Sequence, residues 1–246
     1  WTNLSQALVD LGEFERAFQA VTRALQIDQS LPEAHNQLAE IYRKTFKYDL
    51  AINAYRKSLD LDPTLYESML GLATAYRESE DSEAALTTLN QLISLQPGHA
   101  KAHATLGILK EQKGDSAAAA DCFKEAIKLA PDVISPHYHL SQIKGRKSSD
   151  NEILAMERLQ KMTGISREDR AHLHYGLGEA YDQQGQTDKA FKAWLTANQT
   201  KAALFPYDPG KRKQHRDLTI EFSQALATRN LTEAPAQQLP QLVFVI

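Results

Sequence analysis

The chain has 246 residues, of which 42% are hydrophobic and 24% charged, with a formal net charge of −3. These globular values, without a basic excess, argue against nucleic acid or an anionic membrane as the partner. The single cysteine, Cys122, excludes an intrachain disulfide and favours a reducing compartment, so we expect a cytoplasmic protein. No apolar run of about 18 residues occurs, so no membrane span is predicted.

Small residues recur at a fixed period from the start of the chain. An alanine returns every 34 residues, at Ala17, Ala51, Ala85 and Ala119. A second set of small residues precedes these alanines, at Ser5, Ala39, Ala73, Gly107 and Ser141. Two helices that cross closely need small side chains at the contact, and a proline ends the second helix because it cannot continue it. Those prolines are Pro63, Pro97 and Pro131. The pattern predicts an all-α chain of helical hairpins.

Columns that agree at a period of 34 residues resemble the tetratricopeptide repeat family. The resemblance implies a right-handed superhelical solenoid of helix–turn–helix repeats, whose first helices line a concave groove. We expect the array to occupy residues 1–204. The predicted repeats are 1–31, 32–65, 66–99, 100–133, a diverged repeat at 134–165 that loses register at 144–150, and a sixth at 171–204.

The concave groove is the expected binding site for a partner protein or peptide. The residues predicted to contact that partner are Asn36, Glu40, Arg43, Arg77, Tyr138 and Tyr175. Because these side chains are expected to face solvent, charge reversal at Arg43 and Arg77 should weaken partner capture without lowering thermal stability. Chaperone-binding members of the family hold a peptide's terminal carboxylate with a lysine and asparagine clamp. The residues at those positions here are Thr2, Gln6, Gln37, Glu67 and Gly71, and Glu67 would repel a carboxylate.

No catalytic, cofactor-binding or metal-binding residue is predicted in this chain. Histidines two residues apart, as in His137/His139 and His172/His174, point to opposite faces of a helix and cannot chelate one ion. His35, His103, His137 and His174 share one repeat position, so we interpret them as packing residues. Gly176-Leu-Gly178 lies inside a predicted helix with no preceding strand, which indicates close packing rather than a dinucleotide loop. The basic cluster Lys211–Arg216 is interpreted as a solvated helix face, with a phosphate or an acidic surface as the alternative partner.

The last part of the sequence changes in character. We predict a linker helix at 205–228, a Gln/Pro/Ala linker at 229–241 and a strand at 242–246. The strand sequence, Leu-Val-Phe-Val-Ile, is an apolar run typical of a buried parallel strand. We therefore expect it to be the first strand of an α/β domain that is missing from this chain.

The order of motifs near this end resembles bacterial tetratricopeptide proteins that carry a C-terminal sulfotransferase domain. The motifs are the diverged repeat at 173–182, Ala197-Asn198, Tyr207-Asp208-Pro209 and the apolar run 242–246. The resemblance implies an interaction scaffold that contacts its own C-terminal enzyme domain. That domain would use 3′-phosphoadenosine 5′-phosphosulfate (PAPS), with the donor site beyond Ile246. A free-standing peptide-binding adaptor is the alternative, and a glycosyltransferase arm is a third.

Overall fold

The computed structural model describes residues 1–204, which contain twelve α-helices and no strand. The helices are α1 (Thr2–Asp10), α2 (Phe14–Ile27), α3 (Pro32–Lys44), α4 (Tyr48–Leu61), α5 (Tyr66–Glu78), α6 (Ser82–Leu95), α7 (Ala100–Gln112), α8 (Ser116–Leu129), α9 (Ile134–Gln142), α10 (Asp150–Gln160), α11 (Arg167–Gln183) and α12 (Thr187–Leu204). None of these twelve helices has an apolar stretch long enough to cross a bilayer.

Residues Trp1–Lys201 form one compact unit. Of the second unit, Ala202–Ile246, the structure describes the last three residues of α12. The helix predicted at 205–228, the linker at 229–241 and the strand at 242–246 lie outside the described residues.

Consecutive helices of the first unit pack as hairpins, and the hairpins stack in chain order. Each odd-numbered helix from α1 to α9 also contacts the next odd-numbered helix, whereas the even-numbered helices from α2 to α10 do not contact one another. A stack in which one layer of helices is in mutual contact and the other is not curves toward the first layer. The odd-numbered helices therefore line the concave face, as predicted.

The alanine column is buried at the helix crossings. Ala17, Ala51, Ala85 and Ala119 are all 0% exposed. One helical turn later on the same face lies a second column, also 0% exposed, formed by Val21, Tyr55, Leu89 and Phe123. The prediction of a close helix crossing is confirmed, and the larger column fills the space between neighbouring helices.

Glycines give the aromatic members of that larger column room to pack. A Cβ atom on Gly107 of α7 would lie 2.6 Å from the Phe123 ring of α8. Gly71 of α5 stands in the same way against Tyr55, and Gly178 of α11 against Trp194. Gly178 is therefore a packing residue inside a helix, which confirms the interpretation of the Gly-Leu-Gly sequence.

The turn inside each of the first four hairpins contains a residue with left-handed backbone. The φ angles are 75° at Gly12, 60° at Phe46, 67° at Glu80 and 81° at Gly114, and the four positions are 34 residues apart. Glycine adopts this conformation without steric cost, whereas a side chain there costs about 1–3 kcal/mol. The second and third hairpins therefore fold around a strained turn.

Histidines tie the start of three first helices to the turn before them. In each case Nε2 lies 2.9 Å from the backbone carbonyl oxygen six residues earlier, in the pairs His35–Gln29, His103–Pro97 and His137–Pro131. His174 differs, because its ring contacts Nε2 of Gln160 at 3.2 Å. The interpretation as packing residues is confirmed for His137 and His174, which are buried, whereas His35 and His103 are half-buried.

The fifth hairpin departs from the regular pattern. Helix α9 ends at Gln142, and α10 begins after a loop with a capping box formed by Ser149 and Glu152. Helix α9 contacts α11 more extensively than it contacts α10. Ser166 caps α11, so this helix begins at Arg167, ahead of the predicted start at 171.

Candidate functional site: the concave face

The concave face carries an open groove of about 850 Å³ between α1, α3, α5 and α7, which we call the N-terminal groove. Three of the six predicted partner-binding residues line it, and all three lie on α3: Asn36, Glu40 and Arg43. Neighbouring helices and turns add further lining residues, among them Gln6, Asp10, Lys44, Glu67, Thr74, His99 and Lys101. The sequence did not predict the contribution of the turn before α7.

Asn36 is held by a chain of buried hydroxyl groups. Its Oδ1 accepts a hydrogen bond of 2.9 Å from Oγ of Ser68. Ser68 is fully buried and lies 2.8 Å from Oγ of Ser58, which donates to the Pro32 carbonyl at 2.7 Å. The amide nitrogen of Asn36 makes no hydrogen bond to any described residue, so a donor remains for a ligand in the groove.

Arg43 pairs with two carboxylates, Glu78 of α5 and Glu40 of its own helix, and the first of these joins α3 to α5. Its Nη1 donates to both oxygens of Glu78, at 2.9 and 3.1 Å, and its Nη2 donates to Glu40 at 2.8 Å. Glu40 also accepts a 2.7 Å hydrogen bond from the hydroxyl of Tyr55. Burial of the guanidinium acts against its charge, but the Glu40 and Glu78 carboxylates, together with Tyr55, outweigh this and raise the pKa of Arg43. Burial and the same carboxylate raise the pKa of Tyr55.

This network changes the expected effect of charge reversal at Arg43. The side chain is 14% exposed and holds two helices together, so it is not a free groove residue. An Arg43→Glu variant would place three carboxylates in one partly buried site. The premise that Arg43 faces solvent is therefore wrong, and we now expect charge reversal at this residue to lower stability.

Arg77 does not line the N-terminal groove. Its Nη2 lies 3.5 Å from Oε1 of Glu78, the carboxylate that Arg43 also contacts. Its side chain is 19% exposed. Arg77 therefore lies between the N-terminal groove and the remaining two predicted residues, Tyr138 and Tyr175.

Tyr138 belongs to a second group of side chains, which we call the C-terminal aromatic cluster: Phe123, Tyr138, His139, His172 and Tyr175. Tyr138 stacks on His172 with ring centroids 4.9 Å apart, and His139 stacks on Phe123 at 5.3 Å. Tyr138 and His139 meet edge to face at 5.2 Å. Tyr175 lies three residues from His172 on α11, and its hydroxyl donates to Asn198 at 2.6 Å.

A carboxylate borders this cluster. Nδ1 of His139 lies 3.3 Å from Oε2 of Glu111 on α7. Burial lowers the pKa of His139 against the opposing effect of Glu111, so the imidazole is mostly neutral at pH 7. Burial also raises the pKa of Tyr138. The six predicted residues thus fall into the N-terminal groove, Arg77 beside it, and the C-terminal aromatic cluster.

Neither group of side chains presents a metal-binding constellation. Within residues 1–204, no three His, Cys, Asp or Glu side chains are placed to hold an ion. Cys122 is partly buried, and burial raises the pKa of its thiol, which stays protonated at neutral pH.

The stacked hairpins and the concave face of their first helices define a helical-repeat protein with a ligand-sized groove. Models of the tetratricopeptide repeat match residues 1–31, 32–65 and 70–134. Together these matches cover more than half of the chain, which therefore belongs to the tetratricopeptide repeat family.

Solved structures share this fold at low sequence identity. The APC/C hetero-tetramer Cut9–Hcn1 matches with a TM-score of 0.68 and 18% identity, over 81% of this chain and 39% of that one. PilF of Pseudomonas aeruginosa matches with a TM-score of 0.60 and 19% identity, over 88% of this chain and 95% of that one. A MamA fragment from Desulfovibrio magneticus matches with a TM-score of 0.50 and 18% identity, over 76% of this chain and 94% of that one. No curated protein matches the sequence.

Proposed function

We propose that this chain is a protein-interaction scaffold that holds a segment of a partner protein in its concave face. The observation that carries the proposal is the N-terminal groove, at about 850 Å³ within the range of ligand-binding pockets and open along the stack. Membership of the tetratricopeptide repeat family supports it. The same fold occurs in Cut9–Hcn1, which is an assembly of several chains.

The lining of the groove suits a polar segment of mixed charge. Lys44 and Lys101 are exposed there, and so are Asp10 and Glu67. Exposed charges pair with a ligand without the desolvation cost that buried ones carry. In this proposal the amide nitrogen of Asn36, which has no hydrogen-bond partner within residues 1–204, donates to a backbone carbonyl of the bound segment.

The other predicted residues take different parts. Glu40 and Arg43 fix the spacing of α3 and α5, and so the width of the groove. Arg77 lies beside it, and Tyr138 and Tyr175 extend the binding surface along the concave face. A segment that ends in a free carboxylate is a poor ligand, because Glu67 lines the groove.

The test is to select peptides that bind the full chain from a display library and to measure their affinity for variants. Lys44→Ala and Lys101→Ala, together, should weaken the selected peptides about threefold to tenfold. The matched control is Lys124→Ala/Lys128→Ala, which removes the same charge from exposed positions on α8. Because α8 is the second helix of its hairpin, these positions do not line the groove. Selected peptides that bind both double variants alike would place the site outside the groove.

We further propose that the array is the interaction arm of a sulfotransferase. Support comes from the order of motifs, with Ala197-Asn198 in α12 followed by Tyr207-Asp208-Pro209 and the apolar run 242–246. This chain would bind no donor itself, because the donor loop would follow the apolar run. The gene downstream of Ile246 should encode a glycine-containing loop with arginine and Ser/Thr, then a helix.

Two measurements separate this enzyme context from the adaptor. The longer protein should bind PAPS in calorimetry, whereas residues 1–246 should not. A stop codon shortly after Ile246, or downstream sequence without such a loop, would leave the free-standing adaptor.

A further inference from the structure

The two halves of the concave face differ in charge. In the N-terminal groove, three cations accompany three carboxylates: Arg43, Lys44 and Lys101 with Asp10, Glu40 and Glu67. Beyond it, Glu111 on α7 and Glu179 on α11 flank the C-terminal aromatic cluster, and α9 between them carries no lysine or arginine. The charge of Arg77 on α5 also acts on His139, but its guanidinium lies 3.5 Å from the Glu78 carboxylate, which offsets it. Lys144, Arg146 and Lys147 lie in the loop after α9, and Arg170 of α11 acts on His174, which is buried away from the concave face. This half of the face is therefore acidic.

Glu111 contacts the aromatic cluster directly, whereas Glu179 lies on the same helix face as two of its members. Glu111 reaches the cluster through His139, at 3.3 Å. Glu179 accepts a hydrogen bond from Gln183, whose Nε2 also donates to the Ser141 carbonyl of α9 at 2.9 Å. Glu179 therefore stands at the α9–α11 junction, as does the stacked pair Tyr138–His172. On α11, His172, Tyr175 and Glu179 follow at spacings of three and four and share one face.

Stacked rings bordered by carboxylates recognise one class of side chain well. A lysine or arginine gains from the electron-rich face of a tyrosine and from an ion pair with a carboxylate. Arginine adds planar stacking on the ring. An apolar segment would instead cover the carboxylates without giving them a partner, which costs free energy. An acidic segment would be repelled.

We propose that the acidic aromatic half of the concave face binds a lysine- or arginine-bearing segment of a partner protein. A cation of that segment lies against Tyr138 and Tyr175 and pairs with Glu111 or Glu179. The inference rests on the proposed function, because it assumes that the concave face receives a partner segment. It adds the chemistry of that segment and the direction in which it lies, with its basic part over α9 and α11.

The test uses the full chain and three fluorescein-labelled peptides of twelve residues. Each peptide has a Gly/Ser background and carries four arginines, four glutamines or four glutamates. In fluorescence anisotropy the arginine peptide should bind, and the other two should bind at least about tenfold more weakly. Glu111→Gln/Glu179→Gln should weaken the arginine peptide about threefold to tenfold, and Tyr175→Leu about twofold to fivefold.

The matched control is Glu15→Gln/Glu33→Gln, which removes the same charge from exposed positions on α2 and α3 that do not line the N-terminal groove. An equal loss in this control would reduce the effect to general electrostatics and overturn the proposal. Equal binding of the glutamine peptide would also overturn it, and so would the absence of binding up to about 1 mM. A further contrary result would combine two observations: the arginine peptide binds only a chain that lacks residues 205–220, and a synthetic peptide of those residues displaces it. The chain's own segment would then be the occupant of this surface. In each of these cases, the proposed function would still stand if the library-selected peptides lose affinity for the Lys44→Ala/Lys101→Ala variant, because the N-terminal groove would remain a binding site.

Discussion

Replacement of Gly107 by alanine sets two physical effects against each other. The residue lies within α7, where alanine is favoured over glycine by about 1 kcal/mol because it lowers the entropy of the unfolded chain. The added Cβ would lie 2.6 Å from Cε1 of Phe123, whereas carbon atoms in contact prefer about 3.5–4.0 Å. The ring is 0% exposed and cannot swing into solvent. Overpacking of this kind costs about 1–3 kcal/mol, so we expect the repacking cost to prevail.

The net expectation for Gly107→Ala is a loss of about 1 kcal/mol in the free energy of unfolding. Urea denaturation followed by circular dichroism measures it, with Thr105→Ala on the same helix as the control for helix propensity. A double-mutant cycle with Phe123→Leu isolates the contact, because a smaller side chain leaves room for the Cβ. The cost of Gly107→Ala should largely disappear in the Phe123→Leu background.

Two outcomes would refute this reasoning. If Gly107→Ala stabilises the protein by the full helix-propensity gain, the ring and the glycine are not in tight contact. If the two substitutions are additive, the cost arises elsewhere in the hairpin.

Three further predictions concern other parts of the array. Phe46→Gly should stabilise the protein by about 1 kcal/mol, because glycine adopts the left-handed conformation of this turn without strain. The neighbouring control, Lys47→Gly, should not stabilise it. A urea midpoint of Phe46→Gly equal to that of the unmodified protein would contradict this. Arg43→Met should lower the free energy of unfolding by about 1–3 kcal/mol because it strands two partly buried carboxylates, and an unchanged Tm would show that the network carries no stability. Burial lowers the pKa of both His137 and His174, so the unfolded chain binds more protons than the folded chain just below pH 6.5. Stability should therefore fall as the pH drops through that range. A urea midpoint that is equal at pH 7.5 and 5.5 would contradict this.

Prediction from the sequence worked best for residues whose size is set by a helix crossing that recurs once per repeat. Ala51 and Ala119 recur because two helices cross at the same depth in every hairpin, and no side-chain conformation has to be known. The same holds for the histidine at positions 35, 103 and 137, although only the structure shows its hydrogen bond to the preceding turn.

Prediction from the sequence failed where a side chain has several possible partners on neighbouring helices. Arg43 belongs to the predicted concave surface, but its pairing with Glu78 depends on rotamers and on the tilt between α3 and α5. The period contained a signal for the strained turns, since Gly12 and Gly114 share a column with Phe46, but composition alone cannot assign a positive φ to a phenylalanine. The separation of the six predicted residues into the N-terminal groove, Arg77 and the C-terminal aromatic cluster also needed coordinates.

The glycine–aromatic contacts make the hairpins non-interchangeable. Tyr55 of the second repeat packs against Gly71 of the third, whereas Phe123 packs against Gly107 within its own hairpin. Removing the whole third repeat, residues 66–99, would preserve the 34-residue phase and yet bring Tyr55 against Thr105, whose branched side chain occupies the space that the ring needs. Loss or duplication of a unit during evolution, or by repeat engineering, is therefore tolerated only where such a ring and its glycine are inherited together.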